Sequence, residues 1–191
     1  QQEFLALKKR VRKTIVFVTH DVDEAIKLGD KIVILKEGGQ LAQYGRPVDV
    51  LARPADAFVA DFVGRERTLK RLALMTAESL EVTAGNPVAP EADAERVDAA
   101  AAEAGQPWVP VVDPDRRFRG WCDSRQLVNG HTAGQVVGGM GVATVGPGDT
   151  LRTALDAALS AESRSVVRVD EAGHYLGVIT LDRIAEAGLW S

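Results

Sequence analysis

The stretch VVRVDEAGHYLGVITLDRIA (residues 166–185) carries a complete structural sentence. A β-branched run ends at an aspartate, a short polar turn containing Gly173 follows, and a second apolar run leads into a helical pattern. Runs of this kind bounded by turn residues read as paired strands. The same sentence occurs earlier as VPVVDPDRRFRGWCDSRQLV (residues 109–128). Val112 and Val169, Asp113 and Asp170, Phe118 and Tyr175, Gly120 and Gly177, and Leu127 and Ile184 all match at an offset of 57.

Working outward, each copy is preceded by an alanine-rich helical pattern, at residues 91–104 and 150–161. A strand-like segment stands before each helix, near 80–83 and 142–145. Each copy is therefore expected to run strand, helix, strand, turn, strand, helix. Two such units are too few for a solenoid, so they are expected to bury their apolar faces against each other as a pseudo-two-fold pair.

The first third of the chain is built differently. TIVFV (residues 14–18) is a short, continuously apolar run, the pattern of a fully buried parallel strand. Asp21 is placed to cap a helix that reaches Leu28, and Gly29 stops it. Residues 31–35 and 41–44, joined by Glu37-Gly38-Gly39, read as a hairpin. Pro47 opens a short helix through Leu51, and a further helix is expected to carry Phe58, Val59 and Phe62 on one face. Residues 2–12 read as a helix end with a basic face, and 64–75 as a charged connector with a helical pattern. Two or three strands cannot make a doubly wound sheet alone; this third reads as the last part of one.

Charge separates the two regions. Residues 1–72 hold fourteen Lys and Arg against ten Asp and Glu, whereas residues 73–191 hold nine Arg, no Lys and seventeen acidic residues. Neither region is basic enough for a nucleic-acid footprint. No apolar stretch approaches the roughly 18 residues of a membrane span, and the basic N-terminal residues are followed by no signal-peptide apolar core. The single cysteine, Cys122, cannot form an internal disulfide and fits a reducing compartment.

Chemistry-bearing residues are few. His20 stands at the end of an apolar run, where a structural histidine is the ordinary reading. A metal site there lacks partners, since His131 and His174 lie in the acidic region, so no metal ligands are assigned. No serine sits in a nucleophile-elbow sequence.

The string KTIVFVTHDVDEAIKLGDKIVILKEGGQLAQYGRPVDVLARPADAFVADFVG (residues 13–64) resembles the C-terminal end of an ABC transporter ATP-binding subunit, most closely the quaternary-amine branch that imports glycine betaine, proline or carnitine. The resemblance implies that His20 is the switch histidine, reading the γ-phosphate of ATP and taking part in hydrolysis. Side chains at the carboxyl end of a parallel strand do project into the ligand crevice, which is consistent with that role. A P-loop needs G-x-x-x-x-G-K-[ST], and no such string exists in these residues. The nearest glycine cluster, residues 138–149, has no lysine, and the family's signature motif and Asp-Glu pair are also missing. The magnesium ligand and catalytic glutamate are therefore expected upstream of Gln1, and these residues alone are not expected to hydrolyse ATP.

The repeat resembles a tandem pair of cystathionine-β-synthase-type (CBS) domains, its second copy carrying the better match in GVITLDRI (residues 177–184). Such pairs often bind adenosine nucleotides between the repeats. The resemblance implies a phosphate contact at Thr180 and a ribose contact three residues on, where this chain has Arg183, with Asp182 one short. In the first copy Asp123 replaces the threonine and Gln126 the aspartate, and a carboxylate there would repel a phosphate. A dimerisation and regulatory scaffold without a small ligand is the other reading. Arg116, Arg117 and Arg119 concentrate charge at a hairpin tip. They are a candidate electrostatic contact with an anionic membrane surface or another subunit, unless the hairpin is simply solvated. Such a contact would weaken as the Debye length falls from about 10 Å at 0.1 M salt to about 3 Å at 1 M.

The expected fold class is α/β: a C-terminal remnant of a P-loop NTPase sheet followed by a tandem α/β CBS pair. The expected division is 1–66 for the ATP-binding portion, 67–79 for a connector, 80–130 for the first CBS repeat and 131–191 for the second. The parent subunit is expected to use ATP with magnesium to energise osmoprotectant uptake. Its expected partners are a second ATP-binding subunit, a membrane permease and a substrate-binding protein, in a homodimeric ATPase at the inner face of the cell membrane. The alternative is a stand-alone, non-enzymatic CBS regulatory protein with a vestigial ABC segment.

Overall fold

A computed structural model describes residues 14–128, 130–137 and 143–189. The basic helix end expected at 2–12, the start of the strand expected near Val142 and residues 138–142 of the glycine cluster lie outside the described residues. The chain divides into two compact units: one runs to Arg71 and includes Gly188, and the other spans Leu72–Ala187.

In the first unit, α1 (Val22–Leu28) starts where Asp21 Oδ1 accepts from the amides of Asp23 and Glu24, and ends at Gly29. The hairpin of β1 (Ile32–Leu35) and β2 (Leu41–Gly45) is antiparallel, with a bulge between Ile34 and Leu35. α2 (Pro47–Ala52), α3 (Ala57–Val63) and α4 (Arg67–Leu72) follow. Ile26, Ile32, Ile34, Val50, Leu51, Val59 and Val63 form one apolar core.

Two expectations fail here. Residues 14–18 form no strand: Val16 and Val18 are 86% and 88% exposed, and no strand among the described residues pairs with them. A strand exists only where a neighbour completes its ladder, and β1 and β2 pair with each other instead. In α3 the buried face is Val59 and Val63; Phe58 and Phe62 stack on each other at 5.8 Å on an exposed face.

The second unit holds the repeats. In the first, α5 (Ala94–Ala104), capped by Asp93, precedes the antiparallel pair β3 (Trp108–Val112) and β4 (Phe118–Asp123). After the short α6 (Ala133–Val136), the second repeat has β5 (Thr144–Val145), α7 (Leu151–Ser160), β6 (Ser165–Val169), β7 (Tyr175–Thr180) and α8 (Leu181–Leu189). β5 runs parallel to β6, and β6 antiparallel to β7.

The 57-residue offset is kept to the level of single bonds. Each hairpin is bulged at the same place, between Val111 and Val112 and between Arg168 and Val169. Asp113 Oδ1 accepts from the Arg117 amide, and Asp170 Oδ1 from the His174 amide, both at 2.8 Å. Gly120 and Gly177 share positive φ values of 143° and 150°. The repeats meet through Trp108, Phe118, Trp121, Val167, Tyr175 and Val178, all buried, with Trp121 edge-on to Phe118 at 5.5 Å. Burying large aromatic side chains of this kind dominates such an interface.

The internal order departs from expectation at two points. Residues 80–83 are not the first strand of the first repeat. Thr83 alone bridges there, and its partner is Val178 in the second repeat, while the first repeat receives Val88 against Val111. Nor does β4 feed directly into a helix as β7 does. Asp123 folds the chain into a turn by accepting from the Arg125 amide at 3.1 Å.

Candidate functional site

His20 lies on a bend, exposed, one residue before the cap of α1. The bend is held from both sides. Thr19 Oγ1 accepts from the Asp21 amide and donates to Glu24 Oε2, each at 3.0 Å. Asp21 is engaged by the helix amides, so it caps rather than reacts, and the imidazole is the group left displayed. Lys70 further fixes α1 by pairing with Asp23 at 2.7 Å while donating to the Val63 carbonyl.

The two positions marked by the CBS resemblance occupy equivalent strand ends, since Trp108 opposes Asp123 as Ser165 opposes Thr180. In the second, the Thr180 hydroxyl accepts from the Arg183 amide at 3.4 Å and so caps α8. Arg183 is exposed and reaches Glu186 at 3.4 Å, and Asp182 is exposed beside it. Hydroxyl, carboxylate and guanidinium thus share the first turn of one helix.

The first half-site is closed by its own side chains. Asp123 is buried, and Arg125 holds it with a two-pronged pair, Nε to Oδ1 at 2.8 Å and Nη2 to Oδ2 at 2.9 Å. Gln126 Nε2 adds a third side-chain bond at 3.0 Å. The Arg125 bonds hold the Asp123 carboxyl below the usual carboxylate range. Its charge is therefore matched, with both carboxylate oxygens already bonded by Arg125 and Gln126. Arg125 also lies over the Trp108 ring at 5.9 Å. Arg125, absent from the sequence-based candidates, stands 57 residues before Asp182 and so marks a reversal of charge between the copies.

The three hairpin arginines separate. Arg116, at φ 60°, accepts from the Tyr175 amide through its carbonyl at 2.7 Å, and its Nη2 donates to the Tyr175 carbonyl at 3.3 Å. Arg117 bridges to His174, its own equivalent in the second repeat. Arg119 turns back towards Asp113 at 3.8 Å and is 61% exposed. The Arg116 guanidinium is thus committed to the contact between repeats, Arg117 meets the second repeat through its backbone, and the Arg117 and Arg119 side chains are both exposed. Among the described residues no group of three or more His, Cys, Asp or Glu is arranged to hold a metal, and no helix is long and apolar enough to cross a membrane.

Comparison with known proteins fits both halves. Residues 136–189 match the CBS domain family model. The choline transport ATP-binding protein OpuBA of Bacillus subtilis is 34% identical over 194 residues, covering 94% of this chain and 48% of the relative. The osmoprotectant import ATP-binding protein OsmV of Salmonella typhimurium is 32% identical, covering 97% of this chain and 49% of the relative. The chain is a homologue of quaternary-amine ABC importer ATP-binding subunits. It spans about half the length of these curated relatives.

In this homologue of the importer subunits, solved structures bear on the fold of the repeats. The CBS domains of a Streptococcus pneumoniae transcriptional regulator superpose with a TM-score of 0.52 at 15% identity, covering 59% of this chain and 98% of that one. The CBS domain of a bacterial CNNM/CorC-family Mg2+ transporter, solved with ATP, superposes with a TM-score of 0.51 at 18% identity, covering 64% and 94%. The expected CBS tandem is present.

Proposed function

We propose that this chain is the C-terminal segment of an ATP-binding subunit that energises import of a quaternary-amine osmoprotectant, and that its CBS pair modulates the subunit. The observation that carries the reading is His20. It is displayed on a bend fixed by Thr19 and Asp21, at the residue the family resemblance assigns to the γ-phosphate switch. An imidazole so placed can hydrogen-bond a terminal phosphate oxygen and distinguish tri- from diphosphate. In this reading the magnesium ligand and catalytic glutamate belong to residues upstream, and no residue of the present chain is assigned to magnesium.

The working division is 1–66, 67–79, 80–130 and 131–191. The partners follow from the subunit's role: a second ATP-binding subunit, forming a homodimer, a membrane permease and a substrate-binding protein, with the subunit on the cytoplasmic face of the membrane. Within the CBS pair the second half-site is the one suited to an adenosine nucleotide, through Thr180, Asp182 and Arg183, because Arg125 and Gln126 already engage Asp123 in the first. Arg116, Arg117 and Arg119 remain the candidate for a salt-sensitive contact, with the exposed Arg117 and Arg119 side chains the ones not bonded across the repeats.

The test is to read the coding DNA immediately upstream of the codon for Gln1. An in-frame P-loop, signature motif and Asp-Glu pair are the expected result. An in-frame stop directly upstream would overturn the reading in favour of a stand-alone CBS regulator.

A further inference from the structure

The segment leaving the first unit does not enter the CBS pair through the repeat it precedes. Residues 75–84 are bound along the second repeat. The Leu151 amide donates to the Met75 carbonyl and the Ala77 amide to the Asp149 carbonyl, both at 2.8 Å. Further on, Thr83 and Val178 exchange amide-to-carbonyl bonds at 3.0 and 2.9 Å. Only at Val88, which donates to the Pro110 carbonyl and accepts from the Val112 amide, does the chain cross to the first repeat.

The counterpart arm shows what is unusual. Before the second repeat, residues 133 and 134 donate their amides to the carbonyls of Ala92 and Pro90, both at 2.8 Å. Both arms thus bond by backbone to the segment before the opposite repeat's helix, and the second repeat adds two side-chain latches. Arg168 Nη1 donates to the Leu80 carbonyl at 2.8 Å and to the Ala77 carbonyl at 3.3 Å. The Tyr175 hydroxyl donates to the Ala84 carbonyl at 2.6 Å. At the equivalent positions, 57 residues earlier, stand Val111 and Phe118, which have neither donor.

Arg168 is also costly where it stands. Its Nε is buried without a hydrogen-bond partner, and leaving a buried donor unpaired carries a desolvation penalty. The first repeat fills the same position with a fully buried valine. An arginine at a position whose counterpart in the first repeat is a buried valine points to the strap it holds.

We infer that residues 75–84 are a coupling strap, latched by Arg168 and the Tyr175 hydroxyl, which makes the second repeat the one that governs the chain following the first unit. A change in the second repeat reaches the connector through the strap's own bonds; the first repeat meets the chain only beyond the strap, at Val88. This inference stands on the strap's own bonds and does not depend on a nucleotide or on the importer reading.

The experiment uses Arg168→Val and Tyr175→Phe, singly and together, because each installs the residue that the first repeat already carries and folds around. Hydrogen–deuterium exchange would be followed at the amides of Ala77 and Thr83 in the strap, Lys70 in the connector, and Val88 and Val112 in the first repeat. In the double variant the expected result is exchange at least about tenfold faster at Ala77, Thr83 and Lys70, with Val88 and Val112 unchanged, as for local opening of one cooperative segment. Asp123→Asn, a first-repeat control, should leave the strap as it was. Unchanged strap exchange, a strap change that stops short of Lys70, or equal acceleration throughout both repeats would overturn the inference.

Discussion

Tyr175 and Arg116 exchange two hydrogen bonds across the CBS pair, from the Tyr175 amide to the Arg116 carbonyl at 2.7 Å and from Arg116 Nη2 to the Tyr175 carbonyl at 3.3 Å. Arg116 reaches this geometry only by adopting a left-handed backbone, φ 60°, which costs a non-glycine residue energy. One of the three hairpin-tip arginines is thereby drawn into the seam between repeats.

Arg116→Ala keeps the backbone bond and removes the guanidinium bond. It should lower the stability of the CBS pair by about 1 kcal/mol, the usual net worth of one such bond. Urea denaturation of the chain, followed by tryptophan fluorescence from Trp108 and Trp121, measures this.

Gly177 has φ 150°, and a Cβ there would stand 2.5 Å from the Thr83 carbonyl oxygen and 2.7 Å from a Val82 methyl. Gly177→Ala therefore strains the backbone and pushes the strap off β7. A loss of more than about 1 kcal/mol is expected. An equal or higher thermal midpoint would show that the strap does not lie so close.

Asp123 gives a pH dependence with a definite sign. Its folded-state pKa is held below the unfolded value of about 3.9, so its ionised form contributes stability that is complete above that value. The contribution is lost as pH falls through the lower, folded-state pKa. Asp123→Asn should reduce stability by about 1–2 kcal/mol at pH 7, and the gap from the native chain should narrow below about pH 4. A gap independent of pH would mean that the Arg125 pair is not formed.

Cys122 is fully buried in β4, and burial, with Asp123 and Asp98 nearby, pushes its thiol up to about 11. Since only the thiolate attacks alkylating reagents, labelling at pH 8 should be at least about a hundredfold slower than for a free thiol. Full reactivity should return in denaturant, so the labelling rate reports opening of the first repeat.

The repeat was legible because its markers are local: a turn aspartate, a bulge and a glycine recur at 57 residues, and each acts on neighbours a few positions away. The α1 cap and the β1–β2 hairpin were legible for the same reason. Pairing across 95 residues leaves no such trace, and the Thr83–Val178 bridge was therefore missed. In residues 14–18 the apolar run was read as a strand, but hydrophobicity cannot supply the neighbour that a strand needs. The α3 error has another cause. Phe58 and Phe62 are four residues apart, as are Val59 and Val63, so helical period alone offers two apolar faces and does not say which is buried. At the site, His20 was legible only through the longer string around it. Arg125 and Arg168 differ in charge from their counterparts Asp182 and Val111, a contrast that lies between the copies and not within either one.

The measurement that tests the account most directly is ATP hydrolysis by the intact subunit containing this sequence, native against His20→Ala. With His20 reading the γ-phosphate, hydrolysis should fall at least about a hundredfold, roughly 2.7 kcal/mol of transition-state stabilisation, while ATP binding persists. Hydrolysis at the native rate in the His20→Ala subunit would contradict the account.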